Sequence, residues 1–187
     1  MKKLLPYVFA ALLAMASFTY AQMEKKTAPP KAPSGSPVHL MVAPDAVKWG
    51  PPAAEMLVGT PAAEFANEPL PQFAVIAGDP SKPGAPYVIR VKTTDGARVA
   101  PHWHPGDENI TVLQGTFTLG MGKKFDRGAL RELRAGSYAF MPKRTPHFAS
   151  SKSETIVQVH GIGPFQVVWV NPAAAPPAKS GKYPGPS

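Results

Sequence analysis

Apolar and polar positions alternate with a period of two through most of the chain, in short runs separated by Gly-Asp, Pro-Gly, Asp-Gly, Gln-Gly and Ala-Gly turn pairs. This pattern predicts strands over residues 72–77, 87–93, 98–104, 108–114, 116–121, 129–133, 137–141, 147–149, 155–160 and 165–171. If Glu108 faces inward, so do Ile110 and Val112, and Phe117 with Leu119 supplies the next apolar layer. Asn109 and Thr111 then lie on the opposite face, and Gly115 makes the turn. No long helix competes with this reading. The expected class is all-β, and closing the strands into an antiparallel barrel would dispose of their edges.

The segment 38–71 is harder to read. Residues 38–42 suit a short strand, whereas 53–65 has weak helical character broken by Gly59 and Pro61. It is expected as an N-terminal arm that crosses the outside of the barrel or completes a sheet edge.

The ends differ in composition. Lys2 and Lys3 precede an apolar run over 4–18, and Thr19 and Ala21 are small enough to precede a cleavage site. Residues 1–21 are therefore expected to be a secretory leader, with a mature chain from Gln22 and a periplasmic or secreted location. Pro6 and the short apolar run argue against a retained membrane span. Residues 22–37, rich in Pro, Lys and Ala, suit a flexible spacer, and residues 172–187 a flexible tail.

The chain has no cysteine, which excludes disulfides, thiolate ligands and a catalytic thiol. Removal of 21 of 187 residues would leave about 166, enough for one ordinary domain. The formal charge of +8 falls to about +6 without Lys2 and Lys3, and Lys25, Lys26, Lys31, Lys179 and Lys182 sit in the Pro-rich ends. No aromatic-interleaved basic stripe accompanies that charge, so nucleic acid is not an expected partner. A homodimer is a reasonable expectation for an exposed sheet edge.

Chemistry is concentrated in one place. His102 and His104, two residues apart, share one face of an extended strand, and Glu108 follows beyond the break at Pro105, Gly106 and Asp107. His147 comes later, after further strands. Nitrogen and oxygen donors without sulfur suit Fe, Mn, Ni, Zn or Cu and select none of them. Strand packing for the histidines and an indirect role for Glu108 are the competing explanations.

The run from Gly96 to Gly115, with His102, His104 and Glu108 at its centre, resembles the first motif of the cupin family, and the run from Gly136 through Pro142 and His147 resembles the second. Arg144 departs from a common glycine and Ser151 from a common asparagine, which bears on turn geometry more than on ligation. The stretches 115–122 and 157–165 are also similar to those of small, exported single-domain cupins (monocupins). The resemblance covers residues 72–171. It implies a jelly-roll β-barrel in which His102, His104, Glu108 and His147 bind one divalent metal beside a small-molecule substrate.

Family likeness leaves the reaction open. The first expectation is an exported metal-dependent oxidoreductase, in its narrower form a dioxygenase; the rivals are a non-catalytic ligand-binding or sensor protein and a metal-dependent isomerase or hydrolase. Whether the chain is an enzyme at all stays undecided at this level. Several residues carry paired readings. His160 is either a cavity-mouth group or a turn cap, and Asp107 either orients His104 or caps a turn. Trp103 is expected to pack on the far side of the strand from the ligands. Tyr138 and Phe140 share one strand face, which either lines an aromatic cavity or does not. Lys143 and Arg144 either attract a carboxylate or form a solvated turn.

Overall fold

The computed structural model describes residues 39–170. By its internal contacts the chain divides into Met1–His39 and Leu40–Ser187, and the described part of the second unit is the subject below. The expected leader, spacer and tail, residues 1–21, 22–37 and 172–187, lie outside the described residues. None of the described residues belongs to a helix long and apolar enough to cross a membrane.

Eleven strands form among the described residues: β1 (Leu57–Val58), β2 (Gln72–Gly78), β3 (Pro86–Thr93), β4 (Arg98–Trp103), β5 (Glu108–Gln114), β6 (Thr116–Met121), β7 (Arg131–Arg134), β8 (Tyr138–Met141), β9 (His147–Ser151), β10 (Thr155–Ile162) and β11 (Val167–Trp169). The ten strands expected from the period-two pattern are all present. Their ends shift by a residue or two, chiefly because a short 3-10 turn occupies Arg127–Ala129 before β7. Residues 39–42 form no strand.

The strands sort into two sheets, one of six in the order β1-β11-β4-β9-β6-β7 and one of five in the order β2-β3-β10-β5-β8. All neighbours are antiparallel except β1 and β11, which run parallel. The jelly-roll β-barrel expected from the sequence is not formed, because neither sheet closes on itself and each keeps two free edges. Edge protection comes from other devices. β1 has only two residues, β7 carries exposed Arg131, Glu132 and Arg134, and β2 is distorted by a register shift between Val75 and Ala77. Closure is not needed where edges are short, charged or bulged.

Inward residues of both sheets share one core. Ile89, Ile110, Val112, Val157 and Val159 from the five-stranded sheet meet Phe117, Leu119, Ala149 and Val167 from the six-stranded one. The expected parity holds: Glu108, Ile110 and Val112 are buried, as are Phe117 and Leu119. Gly115 turns with a φ of 76°, and an added Cβ there would strike the carbonyl oxygen of Glu154. Gly120 lies opposite Phe148 in the β6–β9 ladder, where any side chain would collide with the Phe148 ring. That ring stacks toward Phe125, which in turn meets Phe65. The six-stranded sheet thus has an apolar cover on its second face as well.

The arm is more than an external strap. Its β1 pairs Leu57 with Val167 and Val58 with Val168, and Gly50 bridges Phe73 on β2. It therefore completes the edge of one sheet and touches the edge of the other. Two 3-10 turns, Ala54–Met56 and Ala63–Phe65, bury Met56 and Phe65. Pro and Gly keep the helical content to single turns.

Candidate metal centre

His102 lies on β4 directly opposite His147 on β9, so the antiparallel register brings two imidazoles from distant parts of the sequence side by side. His104 follows one residue after β4 ends and keeps the same face. Glu108 opens β5 in the other sheet, opposite Met141. The four groups therefore span the gap between the sheets. All are buried, with relative exposures of 6% for His102, 4% for His104, 5% for Glu108 and 2% for His147.

Each imidazole is held by a main-chain oxygen. His102 Nδ1 donates to Ala100 O at 2.8 Å, His104 Nδ1 to Gln166 O at 2.7 Å and His147 Nδ1 to Thr145 O at 3.0 Å. A carbonyl can only accept, so Nδ1 carries the proton and each neutral ring presents a bare Nε2. The ligand-capable nitrogens of the three rings lie within 4.8 Å of one another. Glu108 Oε2 is 3.3 Å from His104 Nε2 and 3.4 Å from His147 Nε2.

Buried lone pairs facing one another are costly unless something positive lies among them. His104 Nε2 and Glu108 Oε2 are close enough to attract but not aligned as a hydrogen bond, and both are buried with no hydrogen-bond partner. Protonation in the site follows the same charge deficit. Burial and the neighbouring His147 and His104 push His102 well below the ordinary histidine range. Burial also opposes charge on His104, but the Glu108 carboxylate outweighs it and raises that ring. Glu108 itself is held well below the usual carboxylate range, its burial overcome by His104 and His147. The three clustered imidazole nitrogens suit a first-row divalent ion, and Glu108 stands beside two of them, His104 and His147.

Beside this cluster is a cavity of about 90 Å³ between the sheets. Its polar side chains are the three histidines, Glu108, Thr93 and Trp169, whose indole carries one N–H. Thr93 Oγ1 is already engaged with Ser151 Oγ at 2.6 Å. The remaining walls are apolar, including Ile110, Leu119, Val157 and Val159, with Phe165 stacked on His104 at 4.9 Å and Trp169 edge-on to His102 at 5.6 Å. Pro52, Leu57, Leu70 and Pro71 of the arm line it too.

Residues 90–169 match the family model described as Cupin domain. That stretch, a little under half of the chain, is similar to a cupin domain and holds all four candidate ligands. Solved structures similar to the chain include KdgF from Halomonas sp., at 22% identity over 65% of this chain and 94% of that one with a TM-score of 0.45. The polyketide cyclase RemF from Streptomyces resistomycificus gives 18% identity over 70% and 82% with a TM-score of 0.49. Salicylate 1,2-dioxygenase from Pseudoaminobacter salicylatoxidans, in a gentisate adduct, gives 15% over 42% and 20% with a TM-score of 0.37. No curated protein matches the chain significantly.

Other sequence candidates fall outside this centre. His160 is exposed, pairs across β10 and β5 with Asn109, and faces away from the cavity; its carbonyl accepts from Asn109 Nδ2. Asp107 accepts from Lys143 N at 2.8 Å, a turn cap, while Gln166 O orients His104. Tyr138 and Phe140 point outward at 57% and 47% exposure, and Met141 on the alternate face is buried. Trp103, half-buried, does not line the cavity. Lys143 and Arg144 form an exposed turn in which Arg144 adopts a φ of 60° and its N–H donates to His104 O. Both departures from the family motif thus have local partners, since Ser151 bonds Thr93.

Sequence reasoning missed the aromatic groups that do meet the imidazoles, Phe165 and Trp169, and the part of the arm that lines the cavity, though it allowed the arm to complete a sheet edge. The orienting carbonyls leave no trace in residue identity. Phe165 and Trp169 carry a period-two signal that marks them as buried without saying against what.

Proposed function

We propose that this cupin holds one divalent metal ion through His102, His104, Glu108 and His147, and uses it in oxidoreductase chemistry on a small molecule bound in the adjoining cavity. One observation supports the metal reading: three buried imidazoles, each locked by a main-chain carbonyl, bring their ligand-capable nitrogens within 4.8 Å of one another, and two of them face the Glu108 carboxylate. When bound, such an ion supplies Lewis acidity or, if redox-active, electron transfer to molecules beside it.

The cavity supports the choice of reaction class. Hydrolysis and isomerisation commonly rely on a separate acid and base, and the walls beyond the four proposed ligands offer no further titratable side chain. Glu108 is the one carboxylate within reach, and the chain's own residues otherwise orient ligands, exclude water and shape the space. A dioxygenase is the narrower form of this proposal. The leader-like composition of residues 1–21 supports a periplasmic or secreted place of action.

Elemental analysis of protein purified from its native compartment, followed by a screen for metal-dependent oxygen uptake, tests the proposal. Stoichiometric Fe, Mn, Ni or Cu with turnover is the expected result. Correctly folded protein that binds no metal would sink it, and tight zinc without oxygen uptake would replace oxidoreductase chemistry with ligand binding or Lewis-acid chemistry.

A further inference from the structure

The cavity constrains what the metal site can take, and the inference rests on the metal reading above. We infer that the ligand is a short, apolar-bodied monoanion of about four to six heavy atoms, its one oxygen-bearing head directed at the histidine cluster and its carbon body against Ile110, Leu119, Val157 and Val159.

Polarity of the walls gives the first constraint. Every polar side chain that lines the cavity is at the cluster, is the Trp169 indole beside His102, or, in Thr93, is already bonded to Ser151. A second hydroxyl or amide on the ligand would be stripped of water and given no partner. Polyols, sugars and amino acids are therefore poor fits.

Size gives the second. The volume of about 90 Å³, which the ion would share, falls short of the roughly 150 Å³ known to take a benzene ring. A narrow aliphatic body fits, and a six-membered ring does not.

Charge gives the third. Three neutral imidazoles, one carboxylate and a divalent ion leave one formal positive charge among hydrocarbon walls, which a monoanion neutralises. A dianion overshoots, with no Lys or Arg among the lining residues to meet its second charge. A short monocarboxylate satisfies all three conditions.

The experiment loads the full chain with Co(II), confirms stoichiometry by elemental analysis, and follows the visible cobalt spectrum during titration with isobutyrate, succinate, glycerol and benzoate. Isobutyrate is expected to perturb the spectrum and bind at least tenfold more tightly than each of the others. Leu119→Ala should then raise benzoate affinity at least tenfold by widening the cavity, and Val159→Ala gives a milder widening if the first variant does not fold. Succinate or glycerol equal to isobutyrate would overturn the inference, as would benzoate binding equally well to the unaltered protein. Cobalt uptake without any ligand response would overturn the inference alone. Failure to take up cobalt would instead bring down the metal reading beneath it.

Discussion

His102, His104 and His147 each owe their chemistry to a hydrogen bond made on the far side of the ring. Nδ1 donation to Ala100, Gln166 and Thr145 leaves Nε2 free, so ligation is prepared before any ion arrives. Replacing His104 or His147 with Ala should lower metal content at least tenfold by elemental analysis, whereas His160→Ala should leave it within experimental error. Equal loss in the His160 variant would mean that the ligand set is wrong. Tyr87 provides a separate check, on pH. Its ring is buried against Phe165, and burial, with the Glu108 charge, raises the phenol above its ordinary value of 10.0. The unfolded chain can release that proton above pH 10 and the folded one cannot, so this stabilisation is complete below pH 10 and is lost as pH rises through the folded value. Denaturant titrations should show Tyr87→Phe losing less stability than the unaltered protein between pH 9.5 and about 11. Parallel loss in both would remove Tyr87 as a cause. At this scale the clustering of His102, His104 and His147 was legible because residue type and spacing carry it. The carbonyls that aim the rings were not, since every residue has one and only the fold selects which is near.

Strands were the most legible elements, because half-buried sheet imposes a two-residue period on sequence. The arm was not, because its work is done by scattered Pro, Leu and Phe side chains with no period at all. Its hold on the sheets centres on Arg98 of β4. The Arg98 guanidinium bonds Glu68 at 2.5 Å and Glu64 O at 3.2 Å and lies 4.9 Å over the Phe65 ring, while its N–H donates to Glu68 Oε2. Two residues beyond Glu68 the chain reaches Leu70 and Pro71 at the cavity. Cutting this clamp with Arg98→Ala should cost about 1 kcal/mol of stability, the upper end for a partly exposed pair. Its larger effect should be on access: stripping of metal by a chelator is expected to quicken about fivefold or more, a local opening that outruns the global loss. An unchanged stripping rate would show that the arm does not govern entry. Tyr138 and Phe140 show the opposite limit of pattern reading. Alternation placed them on one face of β8, but which face is inward depends on the ladder to β5, and that is a tertiary fact.

At the scale of the whole molecule the four groups tie two open sheets together. His102 and His147 belong to the six-stranded sheet and Glu108 to the five-stranded one, so an ion shared among them would crosslink layers that are otherwise joined by apolar packing. Metal at about a thousand times its dissociation constant should add roughly 4 kcal/mol to unfolding free energy, read as a higher thermal midpoint that His147→Ala abolishes. A midpoint indifferent to metal would argue against a site between the sheets. Barrel closure was the main misreading from sequence. Edge protection by shortness, charge and a register shift serves the same end, and strand patterns alone do not distinguish the two solutions. The segments that build the site have a further consequence for inheritance. All four proposed ligands fall inside residues 90–169, the part that matches the family model, whereas Pro52, Leu57, Leu70 and Pro71, which border the cavity, fall outside it. If the proposed metal chemistry holds, proteins sharing the matched stretch would share it and yet differ in diet, because the residues that border the cavity from outside that stretch are free to diverge on their own. Transplanting residues 50–71 from one such protein to another is the change by which appetite would move while the reactive centre stayed put.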